Sequence, residues 1–227
     1  MDTKKPSRPA SPADQTREAL VLAALRLFGR QGFDGTSTRE IAAAANANIG
    51  SIAYHFGGKD GLRMAAADHI VSTIQTVAGS VLGHVDQSLD AGMDREVAHR
   101  QLAAAVERMV GFIVARPEAG EIVQFMLREL AHPTEALDRI YAGVFEPTHR
   151  RLCRIWEVAT GEPAESDRTK LTIFTLIGQV IYFRIAREPV MRRMGWSDIG
   201  PREAPLLVDV VKSNLDAILT ARKGGQS

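Results

Sequence analysis

The chain has 227 residues, 45% of them hydrophobic and 24% charged, with a formal net charge of +1. That is enough apolar content for a packed core in one ordinary domain or two small ones, and a charge this near zero does not by itself point to nucleic acid. No apolar run approaches the roughly 20 residues of a bilayer span, and residues 1–13 lack the apolar segment of a signal peptide, so a cytoplasmic protein with no membrane partner is expected.

Residues 1–13 hold three prolines and three cationic side chains with almost nothing apolar. They are expected to form a mobile arm, either a frayed terminus or a basic arm that gains phosphate contacts on DNA. From Asp14 to Gln31, Leu20, Ala24, Leu27 and Phe28 recur at helical spacing. Gly32 suits the turn past that helix, and Phe33 can fold back onto its last turn.

Residues 36–61 are the most informative stretch. Ser37 and Glu40 have the spacing of a capping box, which starts a short helix over about Thr38–Ala45 with Ile41, Ala42 and Ala45 inward. A helix-turn-helix needs a small residue where its helices cross, a turn residue tolerating positive φ, and an apolar plug on the second helix. Ala42, Asn46 and Ile52 supply these in order. The second helix, about Asn48–Phe56, would then turn Ile52 and Phe56 inward and present Asn48, Gly50, Ser51, Tyr54 and His55 to base edges and phosphates. Gly57-Gly58 breaks it, and Lys59 opens the next helix beside free backbone N–H groups suited to a phosphate. Residues 1–60 carry eight cationic against six acidic side chains, a net +2 that permits DNA binding without establishing it.

The blocks G-F-D-G-T-S-T-R-E-I-A and A-Y-H-F-G-G-K-D-G-L resemble the N-terminal domain of the TetR family of bacterial transcriptional regulators. The likeness runs over about Thr16–Ala65, and Gly32, Thr36, Ile41, Ala42, Tyr54, Phe56, Lys59 and Leu62 fall where the family pattern has them; Asn46 departs from its usual turn glycine. The resemblance implies an all-α homodimer with an N-terminal three-helix DNA-binding domain on a palindromic operator. It also implies a C-terminal helical domain for dimerisation and a small-molecule effector. The expected organisation is an arm over 1–13, the reader over 14–61, the effector-binding and dimerisation domain over 62–222, and a flexible tail over 223–227. Candidate DNA contacts are Thr36, Ser37, Thr38, Arg39, Asn48, Gly50, Ser51, Tyr54, His55 and Lys59.

Beyond Leu62 a helix continues on Ala65, Ala66, Ile70, Ile74, Val77 and Leu82, the natural lever between reader and remainder. Residues 86–96 read as a loop. Further helices are expected over about Asp94–Ala115, Glu121–Leu130 and Thr134–Ala159. The phrases R-E-L-A-H-P-T-E-A-L-D-R-I-Y and G-Q-V-I-Y-F-R-I-A-R-E resemble a subgroup named for a CerR-type C-terminal domain. Cys153, the single cysteine, excludes an internal disulfide and reads as a buried, inert thiol.

The helix over Arg168–Arg187, capped by Ser166 or Asp167, is apolar almost all round and must be covered on both sides. Either it is the core helix of a monomer, or a second copy covers it together with the closing helix Glu203–Arg222. The second arrangement places Phe174, Ile177, Ile181, Leu207, Val211, Leu215 and Ile218 in a four-helix dimer interface. Arg187–Pro201 reads as an irregular connection. An apolar or amphipathic effector would lie among the helices between Leu102 and Tyr182, with Gln124, Arg128, Tyr141, Gln179 and Tyr182 as polar contacts; the alternative is a chamber filled by core side chains. No metal site, cofactor fingerprint or nucleophile elbow occurs, and the expected function is a ligand-responsive, repressor-type regulator released from its operator by a small-molecule effector, rather than an enzyme.

Overall fold

The computed structural model describes residues 11–82, 89 and 92–223, and among these it is all helical. The helices are α1 Pro12–Gln31, α2 Thr38–Ala44, α3 Gly50–Phe56, α4 Lys59–Leu82, α5 Arg95–Met109, α6 Ala119–Ala131, α7 Glu135–Ile140, α8 Glu146–Thr160, α9 Asp167–Ile185, α10 Arg187–Met194 and α11 Ala204–Lys223. Two π-helical turns, Val110–Val114 and Tyr141–Phe145, extend α5 and join α7 to α8. The single helices read over Asp94–Ala115 and Thr134–Ala159 are thus each interrupted by one wide turn that contains a glycine, Gly111 or Gly143.

Side-chain caps fix four of the helix starts. Ser11 and Asp14 form a capping box on α1, with Pro12 in its first turn, where a missing N–H costs nothing. The helix therefore begins before the expected Asp14, with Pro12 and Ala13 in it and Ser11 as its cap; the rest of the arm, residues 1–10, lies outside the described residues, as do residues 83–85, residues 86–88, 90 and 91 of the expected loop, and residues 224–227 of the tail. Asp94 caps α5 and Ser166 caps α9. The connection expected over Arg187–Pro201 instead contains α10. Pro189 falls in its first turn, where proline is tolerated.

The chain divides into two compact units. The first joins the described residues up to Ile70 with Gln124–Arg139. Its core holds Leu20, Leu25, Phe28, Ile41, Ile52, Leu62, Ile70, Phe125 and Ala136, all nearly inaccessible. The late segment seals the end of α1. Arg128 donates from Nη2 to Arg30 O at 3.0 Å and from Nε toward Gly29 O at 3.4 Å, so a cation sits on carbonyls that have no intrahelical partner. Arg139 pairs with Asp68 at 2.9 Å, and buried Glu129 accepts the Thr134 hydroxyl at 2.5 Å.

The second unit, Val71–Val123 with residues from Ile140 onward, is built on α5, α8, α9 and α11. Its core includes Leu102, Val106, Val110, Leu152, Ile155, Trp156, Ile173, Val180, Leu215 and Leu219. Trp156 is fully buried, and its indole N–H finds Glu162 at 3.0 Å, the polar partner a buried tryptophan needs. Cys153 is buried in the same core, and burial pushes its thiol up to about 11. Its reaction with an aromatic disulfide reagent should therefore be negligible at pH 8 in the folded protein and complete only after denaturation; rapid labelling of the native chain would contradict the burial.

Candidate DNA-binding site

The helix-turn-helix forms by local rules. Ser37 accepts the Glu40 N–H at 3.2 Å while Glu40 Oε2 accepts both the Ser37 N–H and hydroxyl, at 2.8 and 2.7 Å. Those bonds hold the Glu40 carboxyl below its usual pKa. A carboxylate depressed in the folded state contributes stability above its unfolded pKa and loses it as pH falls through the carboxylate range. Ser37→Ala should cost about 1 kcal/mol at neutral pH and flatten the acid side of the thermal-stability profile; an unchanged melting temperature would show that the box contributes nothing.

Ile41 and Ala42 are buried under α3, and Ile52, 2% exposed, is the plug. Asn46 makes the turn with φ of 50°, the only described non-glycine residue at positive φ. Gly57 and Gly58 follow α3 with φ of 71° and 136°, values that L side chains rarely adopt. Helix α4 then packs so tightly that a Cβ on Gly61 would fall 1.8 Å from Phe56 O.

On the outer side, Tyr54 is 83% exposed and stacks edge-on against His55 with centroids 4.8 Å apart. Asn48, Gly50 and Arg39 are exposed; Ser51, His55, Thr38 and Lys59 are half-buried. Ile49, absent from the sequence-derived contacts, is also half exposed. Two sequence-derived contacts have structural work instead. Thr36 is 1% exposed and donates its hydroxyl to Gly32 O at 2.7 Å, so it braces the α1–α2 connection; Ser37 is engaged in its cap. Lys59 sits with its ammonium 4.2 Å from the Phe33 ring centre, and the Arg63 guanidinium is 4.0 Å from the same ring. Arg63 was not read as a contact, although its i+4 spacing from Lys59 was the available signal. Phe33 thus holds two cations together at the start of α4, and Arg63 is also paired with Asp60 at 3.0 Å.

The expected effector contacts are divided between the two units. Gln124 and Arg128 belong to the first unit, beside Gly29 and Arg30. Gln179 accepts from Asn214 at 2.9 Å, and Tyr141 and Tyr182 are 54% and 57% exposed. The space enclosed by Leu102, Val106, Met109, Leu152, Ile173 and Leu215 is only about 20 Å³, far below the several hundred that a ligand fills. A larger groove of about 470 Å³ opens on the second unit beside the first π turn, lined by Val77, Ala104, Glu107, Arg108, Gly111, Phe112 and Arg116.

Of the expected interface residues, Phe174 is 57% exposed and Ile177, Ile181 and Ile218 are half-buried, whereas Leu207, Val211 and Leu215 are inside the core of their own chain. The outward stripe of α9 is instead Leu171, Phe174, Tyr182 and Ile185, and that of α11 is Leu206 and Val210, all more than half exposed. An exposed hydrogen bond from Asn214 to Gln179 ties the two helices together.

Comparison with known proteins agrees with this geometry. Residues 20–66 match the profile of bacterial regulatory proteins of the TetR family, and residues 98–222 match that of the C-terminal domain of the HTH-type transcriptional dual regulator CecR. The CecR regulator of Shigella flexneri is 30% identical over 206 residues, covering 91% of this chain and 92% of that protein. The HTH-type transcriptional repressor NicS of Pseudomonas putida is 31% identical over 106 residues, 47% of each chain. The crystal structure of AibR in complex with isovaleryl coenzyme A and operator DNA shares the fold, with a TM-score of 0.62 at 18% identity over 87% of this chain and 96% of that one. The subgroup expected from sequence under the label CerR is therefore the CecR one, and the chain belongs to the TetR family of DNA-binding transcriptional regulators, with a C-terminal domain of the CecR type.

Proposed function

We propose that the protein is a homodimeric, ligand-responsive repressor that binds a palindromic operator in the cytoplasm. The observation that carries this is the outward side of α3 and the turn before it, where Asn48, Gly50 and Tyr54 are exposed, with Ser51 half-buried beside them, over a plugged and capped scaffold. Two such faces, one from each subunit, would enter successive major grooves about 34 to 36 Å apart. The exposed apolar stripes of α9 and α11 supply the surface for the second copy, an isologous pairing in which each subunit covers the other. The CecR relative is described as a dual regulator, which supports a second reading in which this chain also activates transcription.

The effector reading takes its support from the AibR complex and from the groove beside the first π turn, since wide helical turns recur at functional sites. Helix α4 begins in the first unit with Lys59 and runs unbroken into the second, so a ligand that biases its far end acts on a helix whose first turn carries the phosphate-binding cations. Selection of sites from random duplexes by the purified protein should return a palindrome, and Tyr54→Ala should then bind it at least about tenfold more weakly with helicity unchanged. Failure to enrich any sequence at moderate salt would sink the proposal.

A further inference from the structure

Between Glu40 and Gly58 the chain has no lysine or arginine. Guanine is read most strongly by a cation on O6 and N7, and α3 has none to offer. What its N-terminal end presents is Ile49, 48% exposed, between exposed Asn48 and Gly50. The N-terminal residues of the second helix of a helix-turn-helix are the ones that meet base edges. Asn48, an exposed residue, already accepts the Gly50 N–H on Oδ1 at 2.8 Å, which leaves its NH2 as the part of the amide that can donate. Nothing in the packing of the reader requires a β-branched apolar residue at position 49, because the plug is Ile52, buried three residues on.

An apolar group beside an amide donor matches one base in the major groove: thymine alone presents a methyl group, and it carries an O4 acceptor next to it. We propose that Ile49 determines specificity by seating against the 5-methyl group of a thymine in each half-site, with the Asn48 amide donating to an acceptor alongside. The inference rests on the DNA-reading role of α3 given above and adds which base feature it reads.

The test uses the full-length protein on its selected operator, with each thymine replaced in turn by deoxyuridine, which removes the methyl and nothing else. At one symmetry-related thymine per half-site, loss of a buried methyl should weaken binding about fourfold, and about fifteenfold when both half-sites are changed. Ile49→Ala should bind the thymine operator more weakly and be indifferent to the replacement, while Ile49→Val, which keeps a β-branched methyl face, should retain most of the discrimination. Circular dichroism of both variants should match the parent, since the side chain lies outside the core. A half-site with no uridine-sensitive thymine, or sensitivity that survives intact in Ile49→Ala, would overturn the inference while leaving the operator reading standing. Failure to select any operator would defeat that reading and this inference with it.

Discussion

Gly61→Ala should cost the protein its operator. The added methyl would stand 1.8 Å from the Phe56 carbonyl oxygen and 3.0 Å from its carbon, and neither atom belongs to a flexible side chain that could swing away. Either α4 or the end of α3 must shift, and a shift of that kind costs roughly 1–3 kcal/mol. Displacing α3 moves Tyr54 and Asn48 off the positions from which they reach the groove, so affinity should fall about tenfold to a hundredfold. Gly79→Ala is the control on the same helix: its Cβ meets nothing within 4 Å, and alanine favours helix by about 1 kcal/mol, so binding should hold and the melting temperature rise slightly. Equal operator affinity for Gly61→Ala and the parent, measured by fluorescence anisotropy, would show that the close α3–α4 junction does not set the reader's position.

The proposed dimer makes a second large prediction, and it depends on which side of α11 faces out. Leu206 and Val210 are 57% exposed, whereas Val211, one position further, is 1% exposed. Leu206→Glu combined with Phe174→Glu places charges on the stripe proposed to meet a second copy. Uncompensated burial of a charge costs several kcal/mol, enough to raise the dimer dissociation constant by about a thousandfold or more. Sedimentation at micromolar concentration should show a folded monomer in place of a dimer, with operator affinity lost because the two readers are no longer linked. Val211→Glu should behave differently, unfolding the second unit outright. A double variant that still sediments as the parent does would remove this face from the interface.

These two cases also mark how far the sequence could be read. The capping box at Ser37, the turn at Asn46 and the plug at Ile52 were legible because each depends on neighbours within a few residues, and local geometry leaves few solutions. Helix α11 was legible as a helix but not as to its faces. Leu207, Val211 and Leu215 repeat every four residues, and so do Leu206 and Val210, so periodicity finds two apolar stripes without telling the chain's own core from a surface left for a partner. Helix α10 was not legible because it is short and buries none of its residues, so it carries no core-facing apolar stripe. The effector contacts were not legible for a longer-range reason: whether Tyr141, Gln179 and Tyr182 line one site depends on segments that meet only in the tertiary fold. Thr36 shows the same limit at short range, a hydroxyl that looks available for a phosphate and is spent on Gly32.

The Arg128 guanidinium on the carbonyls of α1 bears on the order in which the protein is made. The reader's own helices are complete by Ile70, yet the unit that contains them closes only with Gln124–Arg139. At a synthesis rate of roughly 5–20 residues per second, the last of those residues is made about 3 to 14 s after Ile70. For that interval the end of α1 is uncapped and the site of Phe125 in the core is vacant, so the nascent reader is an incomplete fold. The DNA-binding half of this regulator, though first to leave the ribosome, is finished only after most of the chain has been translated.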